Sequence, residues 1–253
     1  MASSRSRDGG DPEEGRLRAP ARITRPAWAE IDLGAVRDNV RAISAVLRKP
    51  AGLMAVVKAD AYGHGAAMVA RAAVEAGASG LGVATLDEGV QLRRAGLSTS
   101  ILILGHATSD EVETAVAHDL AVAVSRLEVA RALGQAASRA GRRARVHLKI
   151  DTGMGRLGVA PGDAERLARS LGALEGILLE GCFTHFATAD EPDLGFARAQ
   201  LEQFHGVLRR LEEAGVSTGD GLSLAPFSDA CISTGAIWPR TSPPEFNAVC
   251  TFT

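Results

Sequence analysis

From about Trp28 to Glu213 the chain alternates short apolar runs with stretches of helical period. The runs "GLMAVVK" (52–58), "GLGVA" (80–84), "SILIL" (100–104), "LAVAV" (120–124), "RVHLKID" (145–151) and "GILLEGCFTHF" (176–186) read as strands. Between them apolar positions recur at helical spacing. Val36, Val40, Ile43 and Leu47 share one face, as do Leu201, Phe204, Leu208 and Leu211. Thr108 with Glu111 has the pattern of a capping box, and Ser125 is placed to cap the helix after "LAVAV". Before the first run, "RPAWAEIDL" (25–33) alternates polar and apolar positions, which predicts a strand of another sheet.

Six βα units in strict succession demand a parallel sheet covered by helices. An open doubly wound sheet and a (β/α)8 TIM-type barrel both satisfy that pattern, and both bind ligands at the C-terminal ends of their strands. Units of roughly 20 to 30 residues suit the barrel, in which ~250 residues supply eight. The period fails near Ser217. Residues 222–253 carry only Asp229, Arg240 and Glu245 as charges, yet hold four of the ten prolines and two of the three cysteines. The expected architecture is therefore an incomplete barrel of six to seven βα units over residues 25–221, followed by an atypical tail over 222–253. Such a barrel would expose two sheet edges.

Composition narrows the class without naming it. The 253 residues are 46% hydrophobic and 23% charged with a net charge of −2, an ordinary globular balance that offers no basic surface for nucleic acid or anionic lipid. No run approaches the ~18 apolar residues of a membrane span. Cys182, Cys231 and Cys250 are too scattered for a disulfide framework or a metal cluster, which suits a reducing cytoplasm. Residues 1–24 mix arginine with acidic residues and lack an apolar segment, so they read as a disordered leader and not a targeting signal.

The strand ends concentrate titratable groups. Alternation sets Met54, Val56 and Lys58 on one face, and Lys58 closes its run where barrel enzymes place reactive groups. Gly63 and Gly65 let the backbone turn before a helix that begins near Ala66. An amine in such a half-apolar place is suited to Schiff-base chemistry, and the alternative is a lysine whose head reaches solvent. In "RVHLKID", Val146, Leu148 and Ile150 would face the helices, leaving His147, Lys149 and Asp151 toward the interior. Arg156 follows in a glycine-rich loop, and His185 ends the sixth run. These cationic groups suit an anionic ligand such as a phosphate-bearing cofactor or a carboxylate. "GMGRLG" (153–158) satisfies G-x-G-x-x-G, with Glu180 downstream in the place of a ribose-binding acid. The helix signal, Pro161 at its first position, comes only after the glycines have ended, so a dinucleotide site is not expected.

"AWAEIDLGAVRDNV", "AVVKADAYGHG", "LGVATLDEGVQLRRAG", "HLKIDTGMGRLG" and "CFTHFATADEP" together resemble bacterial alanine racemase, from about Pro26 to about Ala214. Broader-specificity amino-acid racemases share the lysine and glycine motifs. The resemblance implies a fold-type III, pyridoxal 5'-phosphate (PLP)-dependent isomerase with a barrel and a C-terminal β-rich domain. It further implies a cytoplasmic homodimer that interconverts L- and D-alanine for peptidoglycan precursors. By position, Lys58 corresponds to the lysine that holds PLP and exchanges the α-proton of the D-enantiomer, and Tyr62 to a tyrosine beside the cofactor. Arg156 corresponds to the arginine that contacts the PLP phenolic oxygen and orients substrate, and His185 to the histidine against the PLP ring. Lys149 aligns with a lysine that is carbamylated in several members and pairs with that arginine.

The sequence also departs from the family. Exchange on opposite faces of Cα needs two acid/base groups, and the family's second is a C-terminal tyrosine supplied across the dimer. Tyr62 is the one tyrosine here. The Asn-Ser and Arg-Pro-Gly-Ile segments of the seventh and eighth strands, and the β-rich domain, have no counterpart. The expectation is a truncated or frameshifted racemase with little activity as written. The alternative is a non-catalytic PLP-binding barrel or an inactive racemase fragment.

Overall fold

The six apolar runs from 52 to 186 each become a parallel strand of one sheet in the computed structural model, which describes residues 29–47 and 51–216 and the backbone at 223–227 and 249–251. Asp32–Thr253 form one compact unit. Of the remainder, residues 29–31 are described and belong to no regular element, and the leader over 1–24 lies outside the described residues.

After α1 (Leu33–Val46) the chain runs β1 (Met54–Val56), α2 (Lys58–Gly63), α3 (Ala66–Glu75), β2 (Gly80–Val83), α4 (Leu86–Arg94), β3 (Ser100–Ile103) and α5 (Val112–Ala117). It continues through β4 (Ala121–Val124), α6 (Leu127–Arg139), β5 (Ala144–Lys149), α7 (Ala164–Gly172), β6 (Ile177–His185) and α8 (Gly195–Glu213) to β7 (Ser223–Phe227) and β8 (Val249–Thr251). The strand order is β7-β6-β5-β4-β3-β2-β1-β8, parallel throughout. This is the succession of a (β/α)8 barrel. No ladder joins β7 to β8 among the described residues.

The strand β8 lies in the tail, where no period in the sequence predicted an element. Three residues are too few for any period to register in the sequence, yet Ala55 stands opposite Cys250 and the β1 edge is paired. Conversely, 25–33 is no strand where it is described. Asp32 instead caps α1, its carboxylate accepting Gly34 N–H at 2.7 Å and Ala35 N–H at 3.1 Å. The helix caps expected at Thr108 and Ser125 also fall elsewhere. Thr108 donates both its N–H and its O–H to Glu111, so its hydroxyl caps nothing, and α5 opens later. The residue preceding α6 is Arg126, with no side-chain cap. A complete capping box does exist, at Thr85 and Glu88 on α4.

Two apolar layers follow from strand alternation. Ala55, Val57, Leu81, Val83, Ile101, Ile103, Val122, Val124, Val146, Leu148 and Ile150 pack outward against the helices. Val56, Leu102, Ala121, Ala123 and Phe183 fill the interior, with Met54 and Leu104 against them. The polar face expected of β5 is thus turned inward. Its lower residues pair there: His147 Nε2 lies 3.2 Å from Glu180 Oε2, and Arg145 Nη1 donates to Glu180 Oε1 at 3.4 Å and to Ser100 Oγ at 3.0 Å.

Glu180 owes its place to a slip in register. Val146 stands opposite Leu179, but His147 stands opposite Gly181, so β6 carries one residue more than β5. Side chains alternate with a period of two, so Leu179 and Phe183 would otherwise share a face. Instead Leu179 packs with the helices and Phe183 with the interior. The slip thus turns Phe183, in the upper half of β6, to the interior.

Candidate active site

Lys58 leaves the end of β1 on a turn of unusual hand. Ala59, Asp60, Ala61 and Tyr62 have φ between 52 and 55° and ψ between 35 and 48°, one turn of left-handed helix with no glycine in it. Each such residue costs roughly 1–2 kcal/mol against its right-handed conformation. Local bonds offset that cost. Ala61 N–H donates to Val57 C=O at 2.9 Å, Gly65 N–H to Asp60 C=O at 2.9 Å, and Ala66 N–H to the Asp60 carboxylate at 2.7 Å. The buried methyl of Ala61 seats the turn in the core. Gly63 and Gly65, at φ +87° and +88°, carry the chain out of it into α3.

The turn sets Tyr62 beneath the amine: Lys58 Nζ is 5.9 Å from the ring centroid, within cation–π range. On β5, Lys149 is 7% exposed. Its Nζ donates to Leu104 C=O at 3.2 Å and lies 5.3 Å from the Phe183 ring. A buried ammonium is costly unless it is paired, so this lysine is held in place by both neighbours.

Beyond Lys149 the loop 151–159 folds back on its strand, Asp151 N–H donating to Val159 C=O and Val159 N–H to Lys149 C=O, both at 2.9 Å. The Asp151 carboxylate gathers N–H groups from Gly153 at 3.0 Å, Gly155 at 3.1 Å and Arg156 at 3.1 Å. Partial burial pushes its pKa up, but the backbone bonds from Gly153, Gly155, Arg156 and Met154 prevail and hold it below the ordinary value. The glycines of "GMGRLG" are therefore needed by the loop itself. At Gly158, φ +140°, a Cβ would stand 2.5 Å from Asp151 N. No helix opens inside the motif, since α7 begins at Ala164, three residues after Pro161. Glu180, the acid that motif would have required, is occupied by His147 and Arg145. The loop leaves the Arg156 side chain exposed on the same rim.

His185 is half-buried at the end of β6. Its carbonyl accepts from Gln200 Nε2 at 3.0 Å, while Gln200 Oε1 accepts Ala187 N–H at 2.9 Å. Fully buried on α8, Gln200 also reaches Thr152 Oγ1, which bonds Thr184 Oγ1 at 2.7 Å. One side chain thereby ties the ends of β5 and β6 together. Neither Gln200 nor Glu88 stands out as a site residue in the sequence. For Glu88 a signal existed in the T-x-x-E spacing from Thr85. A glutamine in an amphipathic helix gives none.

Lys58, Lys149, Arg156 and His185 thus stand at or beyond the C-terminal ends of β1, β5 and β6, on one rim of the parallel sheet. Among the described residues no group of three His, Cys, Asp or Glu could hold a metal.

The family profile described as alanine racemase, N-terminal domain, matches residues 31–226. The alanine racemase of Symbiobacterium thermophilum is 52% identical over 192 residues, which cover 76% of this chain and 51% of that protein. That of Desulforamulus reducens is 48% identical over 194 residues, covering 76% and 52%. Among solved structures, the alanine racemase of Clostridium difficile 630 in complex with cycloserine superposes with a TM-score of 0.80 at 35% identity, covering 90% of this chain and 60% of the other. The enzyme from D-cycloserine-producing Streptomyces lavendulae gives 0.76 at 40% identity, covering 88% and 56%. The chain spans about half the length of the curated relatives it matches.

Proposed function

This chain belongs to the alanine racemase family, and on that premise we propose that it holds PLP through Lys58 and serves the interconversion of L- and D-alanine. The observation that carries the proposal is the left-handed turn, which presents the Lys58 amine over Tyr62 at the C-terminal mouth of the barrel. Barrel enzymes hold their reactive groups at that end.

The donor set fits the group. An amine is needed for the aldehyde, cationic neighbours for the anionic oxygens, and a half-buried imidazole for the face of a ring. PLP supplies the electron sink that makes the α-proton of an amino acid removable. Lys58 then takes or returns that proton on one face of Cα, as a positioned amine can. Tyr62 limits where the amine travels. Arg156, exposed on its loop, would orient the substrate carboxylate and the phenolic oxygen of the cofactor, and His185 would pack beside the ring. Carbamylation of Lys149 would turn that amine into a carboxylate able to pair with Arg156. A proton on the opposite face of Cα requires a second group, and Tyr62, on the lysine's own turn, is the one tyrosine in the sequence. The substrate is a small amino acid, and the setting we propose is the cytoplasmic supply of peptidoglycan precursors by a homodimer. No described helix is long and apolar enough to cross a membrane.

The sequence contains three lysines, Lys49, Lys58 and Lys149, which makes the test direct. The 253-residue chain is incubated with PLP, reduced with borohydride, digested and mapped by mass spectrometry. A pyridoxyl group on the Lys58 peptide, lost in Lys58→Ala, is the expected result. Modification elsewhere, or none, overturns the reading. A panel of D- and L-amino acids then reports racemisation. Attachment at Lys58 without turnover would identify a PLP-binding barrel that is not by itself a racemase.

A further inference from the structure

We infer that Glu88 is a positioning residue for Lys58, because its one carboxylate caps two helical turns of opposite hand. The inference rests on the reading of Lys58 as the attachment point.

The N-terminal N–H groups of any helical turn lack partners within it, whichever way the turn winds. At the start of right-handed α4, Glu88 Oε2 accepts Ala84 N–H at 2.7 Å and Thr85 N–H at 3.3 Å, and Thr85 Oγ1 accepts Glu88 N–H at 3.4 Å. That is an ordinary capping box. The other oxygen, Oε1, crosses to the neighbouring unit and accepts Ala59 N–H at 2.8 Å. Ala59 is the first residue of the left-handed run, directly after Lys58. Hydrogen bonds to a carboxylate are about twice as strong as those to a neutral acceptor. Glu88 therefore resists, at its first residue, the return of the turn to the favoured right-handed region. Such a return would swing the Lys58 side chain away from Tyr62.

A simple helix cap and a positioning residue make different predictions. Glu88→Asp keeps the charge but withdraws it by one methylene, and Glu88→Gln replaces one oxygen with a donor. Thr85→Ala is the control, since it removes the hydroxyl end of the box and leaves the bond to Ala59. In the apoprotein, amide hydrogen exchange at Ala59, followed by NMR, should accelerate at least tenfold in Glu88→Asp and stay within about twofold of wild type in Thr85→Ala, the loss being that of one charge-assisted bond. With PLP added, Glu88→Asp should raise the dissociation constant about tenfold and weaken the circular dichroism of the bound chromophore.

Rescue completes the test. Glycine adopts the left-handed region without steric cost, so Ala59→Gly in the Glu88→Asp background should restore most of the PLP affinity. Loss of the α4 cap alone would not respond to that change. If Glu88→Gln fails to fold, Glu88→Asp and its glycine double variant still decide the matter. Equal Ala59 exchange in Glu88→Asp and Thr85→Ala, or no rescue by glycine, overturns the positioning role. Failure of wild type to label at Lys58 would overturn the functional reading instead, while leaving the exchange result to stand.

Discussion

The two rims of the sheet use the same kinds of residue to opposite ends. At the N-terminal rim, arginines spend their donors on the backbone. Arg93 donates to the carbonyls of His118 at 3.0 Å, Leu97 at 2.8 Å, Thr99 at 2.7 Å and Asp119 at 2.8 Å. Arg142 takes Val116 C=O, Arg143 takes Ile177 C=O with two nitrogens, and Arg145 takes Asp119 C=O. The carbonyls so bound lie where helices hand over to the next strand, and few N–H groups remain for a ligand. At the C-terminal rim the backbone is held by carboxylates and one amide, from Asp60, Glu88, Asp151 and Gln200. The Lys58 amine, over the Tyr62 ring, and the exposed Arg156 guanidinium stand at this rim. The contrast teaches that the two rims hold their backbone with different side chains, arginines at one and carboxylates with an amide at the other. It also shows why abundant arginine alone never marks a site.

The strongest way to break the contrast is at Arg93. Arg93→Ala should cost about 4 kcal/mol, because four backbone carbonyls lose one charged donor together. Thermal unfolding would report that loss, while pyridoxyl labelling of Lys58 below the melting point should be unchanged. Labelling that fell in step would mean that the rims are not separable. Gln200→Leu should cost about 3 kcal/mol, since it strands the half-buried Ala187 N–H and His185 C=O and takes a donor from the buried Thr152 hydroxyl. In contrast with Arg93→Ala it should also weaken PLP binding, measured by titration, because His185 loses its tether.

A smaller effect is expected at the glycine loop. Gly158→Ala drives a Cβ against Asp151 at a φ that disfavours alanine, for about 2 kcal/mol. Accelerated proteolysis within 151–159 would register it. The smallest effect is the pH dependence carried by Glu180. Burial raises its pKa, but the His147 hydrogen bond and the Arg145 charge outweigh that and set it below the ordinary 4.5. A depressed carboxyl pKa contributes stability that is present above the unfolded value and is lost as pH falls through the folded one. Melting temperature should therefore decline below pH 4.5, and Glu180→Gln should decline less over that window. Parallel curves for the two proteins would remove Glu180 from the account.

Much of the frame was legible because it obeys short periods. The six strands, their parallel order and the outward face of Val146, Leu148 and Ile150 all follow from alternation. The places where that reasoning failed have local causes. Thr108 and Glu111 have the spacing of a capping box, but both Thr108 donors face the carboxylate, and spacing cannot report which atom donates. The strand β8 is shorter than any period. The slip at Glu180 is invisible because each half of β6 alternates correctly and only pairing with β5 reveals the extra residue.

What the amino-acid order alone determined is the set of groups at the mouth. Lys58, Lys149, Arg156 and His185 each stand at or just beyond a strand end, and the alternation of parallel βα units brings all such ends to one rim. What only the tertiary structure decided is how those groups are aimed. Left-handed backbone at Ala59 to Tyr62 is disfavoured by the residues themselves. Bonds within the turn, from Ala61, Gly65 and Ala66, offset part of that cost, and Glu88, 29 residues further along the chain, adds an acceptor for Ala59 N–H once two neighbouring units have packed. Local sequence states a preference for the right-handed turn and holds some of the groups that oppose it, but it cannot place the Glu88 carboxylate against Ala59.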